Sequence, residues 1–314
     1  MLNQKIFRSP LILVLAAPFI MLRDLLLPGK AMFWGTPMLQ FVPWWTQAWR
    51  TLQIGQIPLW NPMVGMGAPL LANYQSGLFY PPNWSYFLLA AIADIPGIAV
   101  GMGWMTAFHF AFAGWGMVML VRRLGWPVLS QTVAGLAFGL SSYLIGRAQF
   151  LAMLSSLAWL PWVMLAAYNL IFSLNKKKAT AKLALVIGMQ LLAGHAQISW
   201  YTLILAAAWM IYWALQVYGW QEIYKPLINF AIAAGWGGAL AAVQLFPTAE
   251  YLIQSQRASA VELNFATTYS FWPWRIITTF FPDLFGSPAT GDFWGYATYW
   301  EDALYIGVLG ILLA

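Results

Sequence analysis

Cysteine is absent from this 314-residue chain, and ionisable side chains are scarce. Without a thiol there is no disulfide, no thiolate metal site and no cysteine nucleophile. Charged residues make up 8%, against about 25% in a soluble domain. Hydrophobic residues make up 61%, too many for a soluble fold to hide. The only two histidines, His109 and His195, have no carboxylates at metal-binding spacing. No GxSxG, P-loop, HExxH or EF-hand pattern occurs. The net charge is +6, but no basic stripe is interleaved with exposed aromatics, so no nucleic-acid footprint is expected.

What is present is a series of long apolar runs. A helix needs roughly 20 mostly apolar residues to cross the hydrocarbon. Runs near 10–27, 97–121, 129–146, 150–174, 180–195, 198–218 and 226–248 qualify. An eighth begins at about 303 and stops at Ala314, a dozen residues in, so a longer protein is expected. These runs are too continuous for barrel strands. The expected fold is an all-α polytopic membrane protein with about eight transmembrane helices, forming a single domain. Residues 28–96 form a first long loop, 97–248 the main bundle, 249–302 a second long loop, and 303–314 the truncated last helix.

Charge orients the bundle. Lys5, Arg8, Arg122, Arg123, Lys176, Lys177, Lys178, Lys182 and Lys225 fall on one side with Glu222. The other eight carboxylates fall on the opposite side. Lysine and arginine in short loops mark the cytoplasmic face. The N-terminus is therefore expected in the cytoplasm and both long loops outside.

The two long loops are rich in Trp, Tyr, Pro and Gly, a composition for ordered structure and not for flexible linkers. Trp44, Trp45, Trp49 and Leu52 can share one helical face, read as an interfacial helix. Residues 84–96 are too short to cross and are expected to form a surface-lying or partly inserted helix. Asn61, Asn73 and Gln75 suit sugar hydroxyls, and equally suit satisfying loop backbone. Arg147 and His195 fall at the mouth of the bundle beside the long loops. The plainer alternatives are snorkelling for Arg147 and a helix-end hydrogen bond for His195. His109, mid-span, reads as a packing histidine. The Gly97-Gly101 and Gly135-Gly139 spacings read as close helix packing.

Several strings resemble those of bacterial YfhO-type membrane proteins, which belong with the GT-C class of glycosyltransferases. They are Gln40-Phe41-Val42-Pro43-Trp44, Leu59-Trp60-Asn61-Pro62, Gln75-Ser76-Gly77, Tyr80-Pro81-Pro82-Asn83, Gly194-His195-Ala196-Gln197, Gln244 through Glu250 and Phe281 through Gly286. The resemblance implies a GT-C-like helical bundle in a bacterial cytoplasmic membrane. It implies transfer of a sugar from a polyprenyl-phosphate donor to a cell-envelope acceptor on the outer face. The substrate-loop residues it implies are Gln40, Trp60, Asn61, Asn73, Gln75 and Tyr80. Arg147, His195, Arg257 and Arg275 are candidates for the donor phosphate, since cations at that depth can meet it. A carboxylate is needed to deprotonate the acceptor hydroxyl. The acid that GT-C proteins carry in the first loop is replaced here by Gly35-Thr36. Glu250, Asp24 and Asp283 are the expected substitutes. No metal ligand set is assigned, although outer carboxylates could hold a divalent cation such as Mg or Mn. A transporter or lipid flippase, or a noncatalytic assembly partner, stands as the alternative.

Overall fold

The computed structural model describes residues 2–27, 29–32, 35–255, 263, 267–268, 270, 272–295, 298–302 and 305. It is 73% helical, with almost no sheet. The helices in chain order are α1 (Leu2–Met21), α2 (Val42–Gln53), α3 (Ser85–Arg123), α4 (Val128–Gly139), α5 (Ser142–Gly146), α6 (Leu151–Ala158), α7 (Leu160–Phe172), α8 (Lys176–Leu192), α9 (Ala196–Glu222), α10 (Tyr224–Leu240) and α11 (Ala242–Ile253). A two-residue hairpin pairs Trp60 with Pro69 and Asn61 with Ala68. Among the described residues four helical segments are long and apolar enough to cross a membrane: 81–123, 128–146, 151–172 and 196–222. A fifth forms if α10 and α11 count as one bent span.

Small residues set the packing, because lipid gives helices no hydrophobic reason to associate and close approach is what remains. A side chain on Gly139 would meet the Phe110 carbonyl at 2.9 Å, and one on Gly114 would meet the Gly135 carbonyl at 2.9 Å. α3 and α4 are thus antiparallel and nearly in backbone contact. α8 and α10 run in the same direction in direct contact, with Gly237 pressed on Ala184 and Ile187, and α9 makes the return pass that joins them. A second core joins Phe41, Trp45, Leu70, Tyr86, Ile98 and Met102 beneath the first long loop.

The turns sort to two ends. At the lysine end, Arg123 Nε donates to Asn169 Oδ1 at 2.7 Å, and Lys176 Nζ donates to the Leu170 and Ile171 carbonyls. At the site end, the Thr36 hydroxyl donates to the Gln149 carbonyl. Tyr74 donates to the Leu191 carbonyl, and Gln244 Nε2 to the Leu71 carbonyl at 2.8 Å.

Three expectations are refined. First, α3 is not one rod. A straight helix of its 39 residues would reach about 58 Å, about twice the hydrocarbon thickness. Ala93 and Asp94 leave helical geometry, and Asp94 takes φ +51°. Residues 85–93 fold back, so that Leu89 lies on Gly97 and Gly101. The segment read as non-crossing does double back instead of extending the span. Second, the run 226–248 is bent by 77° where α10 meets α11. Gln244 and Thr248 anchor α11 to the backbone of Leu71 and Ala72, so α11 belongs to the site end. Third, the Trp face of α2 does not lie free at an interface. Trp45 is buried, with its ring centroid 4.8 Å from Tyr86 and 4.9 Å from Phe87, and Trp49 stacks on Phe87. Such ring pairs contribute about 0.5–1.5 kcal/mol each beyond burial, which favours packing on the folded-back arm.

Candidate functional site

Arg147 ends α5. Ser141 caps that short helix, its hydroxyl accepting from the Leu144 amide at 3.4 Å. The guanidinium lies 3.8 Å from the Tyr143 ring centroid and is buried. Nη2 donates to Glu301 Oε2 at 3.3 Å. Nη1 is buried with no hydrogen-bond partner among the described residues. A buried unpaired donor of this kind costs about 1–3 kcal/mol, more when charged, so its retention needs a reason. An anionic ligand oxygen would satisfy it.

Glu301 comes from far along the chain. The Ser142 amide and hydroxyl both donate to the Tyr305 carbonyl, at 3.2 and 2.6 Å. Phe150 meets the Trp300 ring edge-on at 6.0 Å. These contacts fasten the segment carrying Glu301 onto α5.

His195 arrives from the α8–α9 turn. Gly194 takes φ +95°, and a side chain there would meet the Tyr74 carbonyl at 2.6 Å, so only glycine fits. His195 then caps α9, Nδ1 accepting from the Ile198 amide at 3.3 Å. With Nδ1 accepting, the ring's proton sits on Nε2. Burial lowers the His195 pKa from its ordinary value, which keeps the ring neutral. The helix-end hydrogen bond and the place at the mouth are both realised.

Gln40, Gln75, Arg147, His195 and Glu301 line one cavity of about 220 Å³. A second cavity of about 280 Å³ shares Gln40 and Gln75 as its wall and adds Trp44, Asn61, Asn73 and Tyr251. Among the described residues its lining carries no charge. Asn61 Oδ1 accepts from the Met63 amide and Asn73 Oδ1 from the Gln75 amide, which leaves both amide nitrogens as donors. A third, mostly apolar cavity of about 630 Å³ adjoins the Arg147 turn, lined by Leu25, Met32, Ile145, Gln149, Tyr299 and Trp300 among others.

A comparison with protein families matches residues 72–313 to the family described as bacterial membrane protein YfhO. The chain belongs to that family. The matched stretch includes Asn73, Gln75, Arg147, His195 and Glu301; Gln40, Trp60 and Asn61 precede it. No curated protein and no solved structure matches this YfhO-family chain.

The remaining expected residues fall elsewhere. Glu250 is exposed on α11. Asp24 is exposed and lies 4.0 Å from Lys30. Asp283 is exposed and accepts from the Tyr299 hydroxyl at 2.7 Å. None of the three lines the Arg147 cavity. The carboxylate beside Arg147 is Glu301, one of the eight that charge places on the side of the long loops and not among the three expected substitutes. Arg275 is buried and already engaged, and lines none of the three cavities. Arg257 lies outside the described residues. Trp60 is half exposed, packed over Gly67 in the hairpin. Tyr80 is fully buried: its hydroxyl oxygen accepts from Trp159 Nε1–H at 2.8 Å and lies 3.0 Å from His109 Nε2. His109 Nδ1 donates to the Met105 carbonyl at 2.7 Å. That relay is structural and reaches neither polar cavity. The Asn83 side chain is buried and donates to the Gly77 carbonyl at 3.2 Å. Among the described residues no three His, Asp or Glu side chains gather to hold a metal ion.

Proposed function

We propose that this chain is a GT-C-like membrane glycosyltransferase, moving a sugar from a polyprenyl-phosphate donor to a cell-envelope acceptor outside the bacterial cytoplasmic membrane. The observation that carries the reading is the buried Arg147 with one unpartnered Nη1, in a cavity shared with Glu301 and His195. Arg147 holds the donor phosphate, assisted by His195 Nε2–H. The apolar cavity beside it takes the first part of the polyprenyl chain. The uncharged chamber beyond Gln40 and Gln75 takes the neutral hydroxyl-bearing acceptor, for which amide donors beside Trp44 and Tyr251 are suited.

In the reaction an acceptor oxygen bonds to the sugar's anomeric carbon as the bond from that carbon to phosphate oxygen breaks. The electron pair stays on the polyprenyl phosphate, where the guanidinium stabilises it. The acceptor's proton passes to Glu301 as general base. Glu301 takes this role over Glu250, Asp24 and Asp283 because it alone lines the cavity with Arg147.

For the topology we infer that α1, α8 and α10 also cross. With the four longer segments they make seven passes, alternating between the two ends; the expected eighth, from about 303, lies outside the described residues. The lysine end then faces the cytoplasm, as the positive-inside bias requires.

The test is sugar transfer by the full chain in proteoliposomes supplied with polyprenyl-phosphate sugars. Release of free polyprenyl phosphate is expected, lost in Arg147→Gln and Glu301→Gln and retained in Glu250→Gln. Transfer from no donor, or full activity in Glu301→Gln, would overturn the assignment. Donor crossing the bilayer without sugar release would identify a flippase instead.

A further inference from the structure

At the end opposite the site, α8 and α10 leave a groove of about 560 Å³. Its lining is two helical stripes. Lys177, Thr180, Ala181 and Ala184 come from α8, at the three- and four-residue spacing of one face. Asn229, Ile232, Trp236 and Leu240 come from α10 in the same way. The α10 stripe runs from Asn229 to Leu240, about 16 Å at helical rise, which is about half the hydrocarbon thickness.

The groove is graded from polar to apolar. At its mouth stands the exposed Lys177, with no carboxylate partner among the described residues. Lys178 and Lys182, also exposed, lie on the same helix. Lys176 is different: its ammonium is consumed by the Leu170 and Ile171 carbonyls and the Tyr218 hydroxyl. Glu222, the nearest acid in that region, is held by Lys225 at 2.5 Å. Below the lysine, the Thr180 hydroxyl lies 3.5 Å from Asn229 Oδ1. Beyond that pair the floor is Ala, Ile, Trp and Leu. The depth is open because Ala181 and Ala184 are small and Gly188 and Gly237 bring the two helices together below them.

We propose that this groove is a binding site for a single anionic phospholipid. Its headgroup phosphate sits on Lys177, its glycerol ester region meets Thr180 and Asn229, and one acyl chain lies along Ala184, Ile232 and Trp236. Charge complementarity selects the anionic class: the mouth offers an unpaired ammonium and no acid. The depth selects a lipid over a soluble phosphate, since the groove matches one leaflet. The site is separate from the Arg147 cavity and does not depend on the transferase reading.

Native mass spectrometry of the full-length protein with equimolar phosphatidylglycerol and phosphatidylcholine tests this. A lysine at an anionic surface contributes about a five-fold preference. One phosphatidylglycerol is therefore expected to be retained about five-fold over phosphatidylcholine. Lys177→Gln should bring the ratio close to one, whereas Lys178→Gln should leave it largely unchanged. Ala181→Trp, which fills the groove from an exposed position, should remove retention of either lipid. Equal retention by the parent protein, or an unchanged preference in Lys177→Gln, would overturn the site. Full competition by glycerol phosphate at the same concentration would show a phosphate site that does not read the chain, and would also overturn it.

Discussion

Replacing Glu301 by glutamine should tighten binding of a lipid phosphate while abolishing transfer. In the free protein Glu301 is the anion that Arg147 holds. Two unit charges 3.3 Å apart interact by about 5 kcal/mol at an effective dielectric near 20. The Glu301 side chain is 41% exposed, however, and the Arg147 side chain only 7%. Exposed pairs retain at most about 1 kcal/mol, so this pair falls between, at about 1.5–3 kcal/mol. Removing the negative charge takes away both a competitor for the guanidinium and a repulsion on the incoming phosphate. The dissociation constant for polyprenyl phosphate should fall about ten-fold or more. Losing the base should at the same time slow transfer by about 10²–10⁴. Tryptophan fluorescence or calorimetric titration in detergent gives the first number, and sugar release in proteoliposomes the second. Weaker or unchanged phosphate binding in Glu301→Gln would refute the idea that the Glu301 charge opposes a phosphate at Arg147.

Four further outcomes follow from the geometry. Arg147→Lys keeps a charge but loses the planar fork and the stack on Tyr143, so phosphate affinity should drop about ten-fold or more by the same titration. Tyr80→Phe leaves Trp159 Nε1 and His109 Nε2 buried without partners; it should cost about 2–3 kcal/mol in unfolding experiments and spare sugar transfer. Gly194→Ala forces a side chain into a left-handed turn against the Tyr74 carbonyl, and should lower stability by about 2 kcal/mol and transfer with it, since Gln75 adjoins Tyr74. His195, its pKa lowered by burial, takes up a proton more readily unfolded than folded. Stability should therefore fall as pH drops below about 6.5. His195→Asn, which keeps a cap on α9, should remove that part of the slope in pH-dependent melting.

Much of the site was legible because charge and hydropathy place turns at ends. The positions that put Arg147, His195, Gln40 and Gln75 at one mouth are the positions the structure brings around one cavity. The glycine spacing 135/139 marked the contact with Gly114, where backbone nearly touches backbone. The choice of carboxylate was not legible. Glu250, Asp24 and Asp283 were favoured by their place at span ends or in a quoted string. The deciding contacts are the two Ser142 bonds to the Tyr305 carbonyl, between residues 163 positions apart. No periodicity reports a contact of that range. The bend between α10 and α11 was hidden too, because an apolar run reads the same whether straight or turned by 77°. The Trp face of α2 misled for a related reason: a hydrophobic stripe does not say whether lipid or protein covers it.

The folded-back arm of residues 85–93 nests the supports of the site inside one another. The arm rests on Gly97 and Gly101 of α3, and its Tyr86 and Phe87 form the surface on which Trp45 of α2 rests. The turn that precedes α2 carries Gln40, the partition between the charged and uncharged chambers. Each layer therefore has something to lean on only while the one beneath it is intact. A bulky residue at Gly101, deep in a membrane helix and remote from every reacting group, would unseat the partition three layers above it.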